Sequence, residues 1–162
     1  MKNKIILILN RIEDSILIGV LLSMLLMAIL QIFLRNFLSS GIIWGDALVR
    51  VLVLWVGLLG AMVATRNHNH INIDIISRFL PAKLKLVSGF VIEVFTAMVC
   101  AIMTWLSMRF VLMEMEYEIH AFASVPAWVC EAIIPLAFGV ICLRYCIFAY
   151  YSFVKLVGSD YK

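Results

Sequence analysis

Four stretches of the sequence, residues 15–34, 44–64, 86–106 and 128–150, are each close to uniformly apolar. Each is about twenty residues long, the length an α-helix needs to cross a hydrocarbon core of about 30 Å. Lipid offers nothing to bond an exposed backbone, so such a chain is restricted to helices or a closed barrel, and runs of this length belong to helices. With 65% hydrophobic and 14% charged residues, against about 45–50% apolar and 25% charged in a soluble domain, little material remains to cover a soluble core. The sequence predicts an all-α membrane protein of four transmembrane helices in a single domain spanning residues 1–162.

The N-terminus resembles a signal peptide, with Lys2 and Lys4 ahead of Ile5 to Leu9. That apolar run is short, ends in Asn10, Arg11, Glu13 and Asp14, and has no small-x-small cleavage site after it. It is expected to be retained as an interfacial amphipathic lead-in over residues 3–14. Lys and Arg in short loops stay cytoplasmic. Lys2, Lys4 and Arg11, then Arg66, Arg78, Lys83 and Lys85, then Lys155 and Lys162 share one side, which predicts cytoplasmic termini. The third loop, with Glu114, Glu116 and Glu118, then lies outside and offers a candidate docking surface of one charge sign. The net charge of +3 is too small and scattered for a nucleic-acid surface.

Between the second and third spans runs the polar stretch "TRNHNHINIDIISRFLP". Its histidines, His68 and His70, share a face only in an extended segment, whereas His70 and Asp74 share one only on a helix. No single regular conformation presents all three as ligands, so no metal is expected. Isoleucines alternating with polar residues over 71–80, stopped by Pro81, suit a short helix in the headgroup layer.

Catalysis and cofactors are not expected either. A membrane thiol oxidoreductase needs paired cysteines near the surface, whereas Cys100, Cys142 and Cys146 lie within spans and Cys130 alone nears the outer interface. No span holds a histidine for haem. Charges inside spans need partners, and if spans three and four are antiparallel neighbours, Glu93 could pair with Arg144 near the inner face and Arg109 with Glu131 near the outer face. The sixteen residues from Glu93 to Arg109 turn the helix by about 160°, so both pairs cannot share one narrow seam. At least one of these charges should face another helix, a second subunit or water, unless Glu93 is protonated. In span two Asp46, Arg50, Gly57, Gly60, Ala61 and Ala64 recur at helical spacing, a small-residue face suited to close helix packing. Gly89, Thr96, Ala97, Cys100 and Thr104 form a second such row in span three.

The segment "RNFLSSGIIWGDALVRVLVLWVGLLGAMVATRNHNHINIDIISRFLP" resembles the small membrane subunit of tripartite ATP-independent periplasmic (TRAP) transporters, as does "SVPAWVCEAIIPLAFGVICLR" later in the chain. The family pattern falls on Arg35, Trp44, Asp46, Arg50, Gly60, Ala61, His70, Asp74, Pro81, Pro126, Trp128 and Pro135. One departure is Ala47, where the family commonly has a second acidic residue after Asp46. The resemblance implies a non-enzymatic scaffold subunit in the bacterial inner membrane, partnered with a large permease subunit and a periplasmic binding protein for sodium-coupled organic acid uptake. It implies no substrate site in this chain, whose spans show neither a broken-helix pair nor a convergent polar cavity. Arg35, Trp44, Asp46, Arg50, Gly57, Gly60, Ala61, His70, Asp74, Glu93, Glu131 and Arg144 are the candidate interface or structural positions, and Glu114, Glu116 and Glu118 the candidate contacts of the binding protein. The alternatives are a self-sufficient four-helix proton-coupled exporter, which normally carries a carboxylate in span one where this chain has none, and the thiol oxidoreductase.

Overall fold

The computed structural model describes residues 2–37, 41–67, 82–118, 120–122 and 125–159. Helix α1 is Lys2–Phe37, α2 is Gly45–Ala64, and a 3₁₀ turn, Thr65–Asn67, ends the first half. Helix α3 is Ala82–Glu116. Two very short strands, β1 (His120–Phe122) and β2 (Val125–Pro126), pair antiparallel with His120 opposite Pro126. The short helix α4, Ala127–Glu131, and then α5, Ile133–Ser159, complete the fold. Among the described residues, four segments are long and apolar enough to cross a membrane: Ile8–Phe37, Gly45–Ala64, Val87–Glu116 and Ala127–Leu156.

The expected lead-in over residues 3–14 is helical and forms the first part of α1, running into the span with no proline or glycine to break it. Two differences from the sequence expectations are local. Span three continues to Glu116, so Glu114 belongs to a membrane helix and not to the loop. Span four is interrupted at Ala132, between α4 and α5. Pro135 explains the break: it has no N–H to bond the carbonyl of Glu131, four residues back. The expected interfacial segment over 71–80, with His70, Asp74 and Pro81, lies outside the described residues.

The helices pack as an open row. The principal partner of α3 is α5, that of α1 is α2, and α2 meets α5, giving the lateral order α1, α2, α5, α3. The spans bear this out: 6% of the first is buried and 22% of the fourth, which marks α1 as an edge and α5 as the centre. The core lies where α2, α5 and α3 converge, around Leu59, Met62, Ala97, Cys100, Ile133, Ala137, Ile141 and Tyr145, with Leu17 and Val20 of α1 against it. On α3 the inward positions are Glu93, Ala97, Cys100, Thr104, Ser107, Val111 and Glu114. Their steps of four and three residues trace the 3.5-residue period of a coiled-coil seam. The seam is lined by small residues and begins and ends with a glutamate.

Candidate functional site

Two groups of polar side chains, one toward each end of the helices, tie the row together. At the end bearing the chain termini, α1, α2, the 3₁₀ turn and α5 are tied by two arginines and two carboxylates. Arg144 Nη2 of α5 meets Glu13 Oε1 of α1 at 2.5 Å. Its Nη1 donates to the carbonyl of Met62, with Thr65 Oγ1 3.4 Å away. Arg66 Nη2 donates to both carboxylate oxygens of Asp14 at 2.9 and 3.1 Å, and Arg66 Nη1 donates to the Asn10 carbonyl at 2.9 Å. Arg66 Nη1 also lies 3.8 Å from Glu13 Oε2. The side chains of Arg66, Glu13 and Arg144 are 17–19% exposed, so this neutral cluster is largely sheltered. Positive charge over the last carbonyls of α2 also suits that helix's dipole.

Arg144 is thus held by Glu13 and not by Glu93, correcting the expected pair. A residue's place along its helix gives its depth, but only packing decides which neighbour faces it, and it is Glu13 of α1 that reaches Arg144 of α5. Glu93 is buried, with Oε2 lacking a hydrogen-bond partner. It lies within electrostatic reach of Tyr145 across the α3–α5 seam.

At the opposite end, beside the β1–β2 hairpin, α1 and α2 are joined by an amide. Gln31 Nε2 donates to the carbonyl of Ile42 at 3.0 Å and to Asp46 Oδ1 at 3.3 Å, while Gln31 Oε1 accepts from the N–H of Ile42 at 3.3 Å. Gln31 therefore satisfies both backbone groups of one loop residue, as a strand neighbour would. Gly45 makes room for it: a Cβ there would stand 2.7 Å from Gln31 Oε1. Arg35 lies 3.7 Å from Asp46, with both side chains more than half exposed. Asp46 thus turns to α1 and does not pair with Arg50, which is exposed and has no ion pair among the described residues. Gln31 was not among the sequence candidates, although it is the sole glutamine of the chain and sits inside an apolar span.

Also at the hairpin end, Glu131 is within hydrogen-bonding reach of Glu114, not Arg109, whose side chain is exposed. Glu114 is buried, whereas Glu116 and Glu118 are exposed, the latter at a positive φ of 49°. Trp55 Nε1 donates to the Cys130 carbonyl at 2.9 Å, fastening α4 to α2. Trp44 precedes α2 and is 42% exposed. Of the free cysteines, Cys100 and Cys130 are buried, Cys142 is half-buried with Sγ 3.4 Å from the Ala97 carbonyl, and Cys146 is exposed.

The small-residue face of α2 is open. Arg50, Val53, Leu54, Gly57, Ala61 and Ala64 are exposed together on one side of the helix. A Cβ at Gly57 or Gly60 would meet nothing within 4 Å. None of the described residues packs against that face.

A family model described as "Tripartite ATP-independent periplasmic transporters, DctQ component" matches residues 24–155. Among curated proteins, the isethionate TRAP transporter permease protein DctMQ of Oleidesulfovibrio alaskensis is 23% identical over 107 residues, covering 65% of this chain and 17% of the relative. The sialic acid TRAP transporter permease protein SiaT of Haemophilus influenzae is 35% identical over 51 residues, 32% of this chain and 8% of the relative. The sialic acid TRAP transporter small permease protein SiaQ of Vibrio cholerae is 28% identical over 79 residues, 49% of this chain and 46% of the relative. The chain thus spans less than half the length of each of these relatives.

Proposed function

This chain belongs to the DctQ component family of the tripartite ATP-independent periplasmic transporters, and from that premise we propose that it is the scaffold against which a separate, large permease subunit moves. The observation that carries the reading is the use made of polar groups. Glu13, Asp14, Arg66, Arg144, Gln31 and Asp46 are engaged in tying one helix to the next. Meanwhile a whole face of α2 with small residues is left uncovered by the described residues. Small residues allow two helix backbones to approach closely where lipid supplies no hydrophobic drive, and the exposed Arg50 marks the same face as one that seeks an acceptor outside this chain. In DctMQ and SiaT the matching segment is a small part of a much longer permease, which supports a large permease partner for this chain as well.

The proposed setting is the bacterial inner membrane, with both termini cytoplasmic as the Lys and Arg distribution directs. The proposed activity of the assembled complex is sodium-coupled uptake of a small organic acid, the class to which isethionate and sialic acid belong. The exposed Glu116 and Glu118 would then lie outside, where their charge steers the binding protein. Glu114 drops from that surface because it is buried. Membership of a permease family favours neither the exporter nor the oxidoreductase reading.

The test is co-purification of the large subunit with this chain, followed by uptake in liposomes supplied with candidate binding proteins. Uptake is expected to require both membrane subunits, and Glu116→Lys with Glu118→Lys is expected to slow it most at low binding-protein concentration and low salt. A chain that transports alone, or never recovers a large subunit, would overturn the scaffold role.

A further inference from the structure

At the terminal end of the row carboxylates are matched with arginines, but at the hairpin end two carboxyl groups meet each other. Glu114 of α3 is 8% exposed. Its carboxyl is within hydrogen-bonding reach of that of Glu131 on α4. The Oε2 atom of each is sealed from solvent and has no donor. Two ionised carboxylates have no hydrogen to share and repel each other, so a bond between them requires that one carry a proton. Cys130 is a further titratable group close to both. Arg109 on α3 and His120 on β1 are exposed, and neither Glu114 nor Glu131 has an ion pair among the described residues.

The position of Glu131 gives this contact mechanical weight. It is the last residue of α4, directly before the interruption at Ala132. Because Pro135 cannot donate to the Glu131 carbonyl, the backbone there is spanned by the bonds Ala132 N–H to Trp128 O, 2.9 Å, and Leu136 N–H to Ala132 O, 3.4 Å. Helix α4 is therefore a separate five-residue piece that buries Ala127 and Cys130, bonds α2 through Trp55 and the Cys130 carbonyl, and meets α3 with the two glutamates as its polar contact.

We propose that Glu114 and Glu131 share one exchangeable proton and form a proton-dependent latch that closes α4 onto α3 at the hairpin end. When the proton is lost, the carboxyl O–H bond breaks, its electron pair stays on the oxygen and the proton passes to water. The two negative charges then face each other, the shared hydrogen bond is gone, and α4 is released about Ala132 while Trp55 still holds its other side. The proton is bound in the closed state and released in the open one, so closure weakens as pH rises.

The test uses the full chain in lipid nanodiscs, in a Glu93→Gln background that removes the other buried acid of the seam. Infrared spectra across a pH titration are expected to contain a protonated-carboxyl band that disappears reversibly as pH rises and is missing from both Glu114→Gln and Glu131→Gln. In parallel, the hydrogen-exchange protection factor of residues 127–131 is expected to fall at least tenfold over the same pH range. In either glutamine variant, whose amide donates without needing a proton, protection is expected to stay level. A missing band, a band unchanged in both variants, or protection that does not follow pH would overturn the latch. If neither glutamine variant folds, the protection titration of the otherwise unaltered chain decides alone.

Discussion

Helices α1 and α2 are locked at both ends by opposite chemistry. At the terminal end the lock is ionic, with Arg66 and Arg144 closing on Glu13 and Asp14 in a largely sheltered cluster. At the hairpin end it is a neutral amide, Gln31, bonded to the backbone of Ile42, with an exposed Arg35–Asp46 pair beside it. The ionic lock reaches past α2 to α5 and so ties three of the four helices of the row, whereas the amide lock fixes one loop. Charge is placed where several elements must be held together, and an amide suffices where one turn must be shaped.

The largest effect expected from this contrast is at Arg144. Arg144→Ala leaves Glu13 without its closest cationic partner and the Met62 carbonyl with the Thr65 hydroxyl, and thermal unfolding in detergent should show a loss of about 3–5 kcal/mol, the range for breaking a sheltered ion pair. A loss below about 1 kcal/mol, the value of a surface pair, would erase the distinction between the two ends.

Next comes the amide. Gln31→Leu strips the Ile42 N–H of its partner, leaves the Ile42 carbonyl with the Gly45 N–H alone, and should cost about 1–3 kcal/mol. Gly45→Ala forces a Cβ against Gln31 and should fall in a similar range of about 1–3 kcal/mol. Near-neutral results for both would mean that the loop holds itself.

The uncovered face of α2 should behave differently from either lock. Gly57→Leu is expected to leave the isolated chain's stability within about 0.5 kcal/mol, while the yield of co-purified large subunit falls severalfold. Normal recovery would place the partner elsewhere. The smallest effect belongs to Arg35→Ala, about 0–1 kcal/mol and shrinking with added salt, since both members of the pair are exposed. An effect as large as that of Gln31→Leu would show the pair to be sheltered in the assembled complex.

The spans were legible in the sequence because length and hydropathy alone fix them, and the family was legible in the spacing of Arg35, Trp44, Asp46, Arg50 and the later prolines. Partnerships were less so. Glu93, Arg109, Glu131 and Arg144 can be assigned depths from residue numbers, but which helix faces which depends on the lateral order α1, α2, α5, α3, and no periodicity encodes that order. The pattern at 93, 97, 100, 104, 107, 111 and 114 was visible as a heptad and would have shown that Glu114 faces inward. The acidic run around it suggested a solvated loop instead. Likewise Pro135 was read as part of a family motif, although its missing N–H already marked a break.

Helix α2 has 20 residues and α1 has 36, which at 1.5 Å per residue is about 30 Å against about 54 Å. These unequal rods stand side by side and are pinned together at two levels, so the shorter sets the bilayer thickness tolerated beside them. The longer must then lean or project its first turns past the headgroups. A thicker membrane would strand the ends of α2 in acyl chains, at fractions of a kcal/mol for each ångström of mismatch. The chain is in this sense a gauge, and lipid chain length becomes a variable that acts on its orientation without touching any side chain.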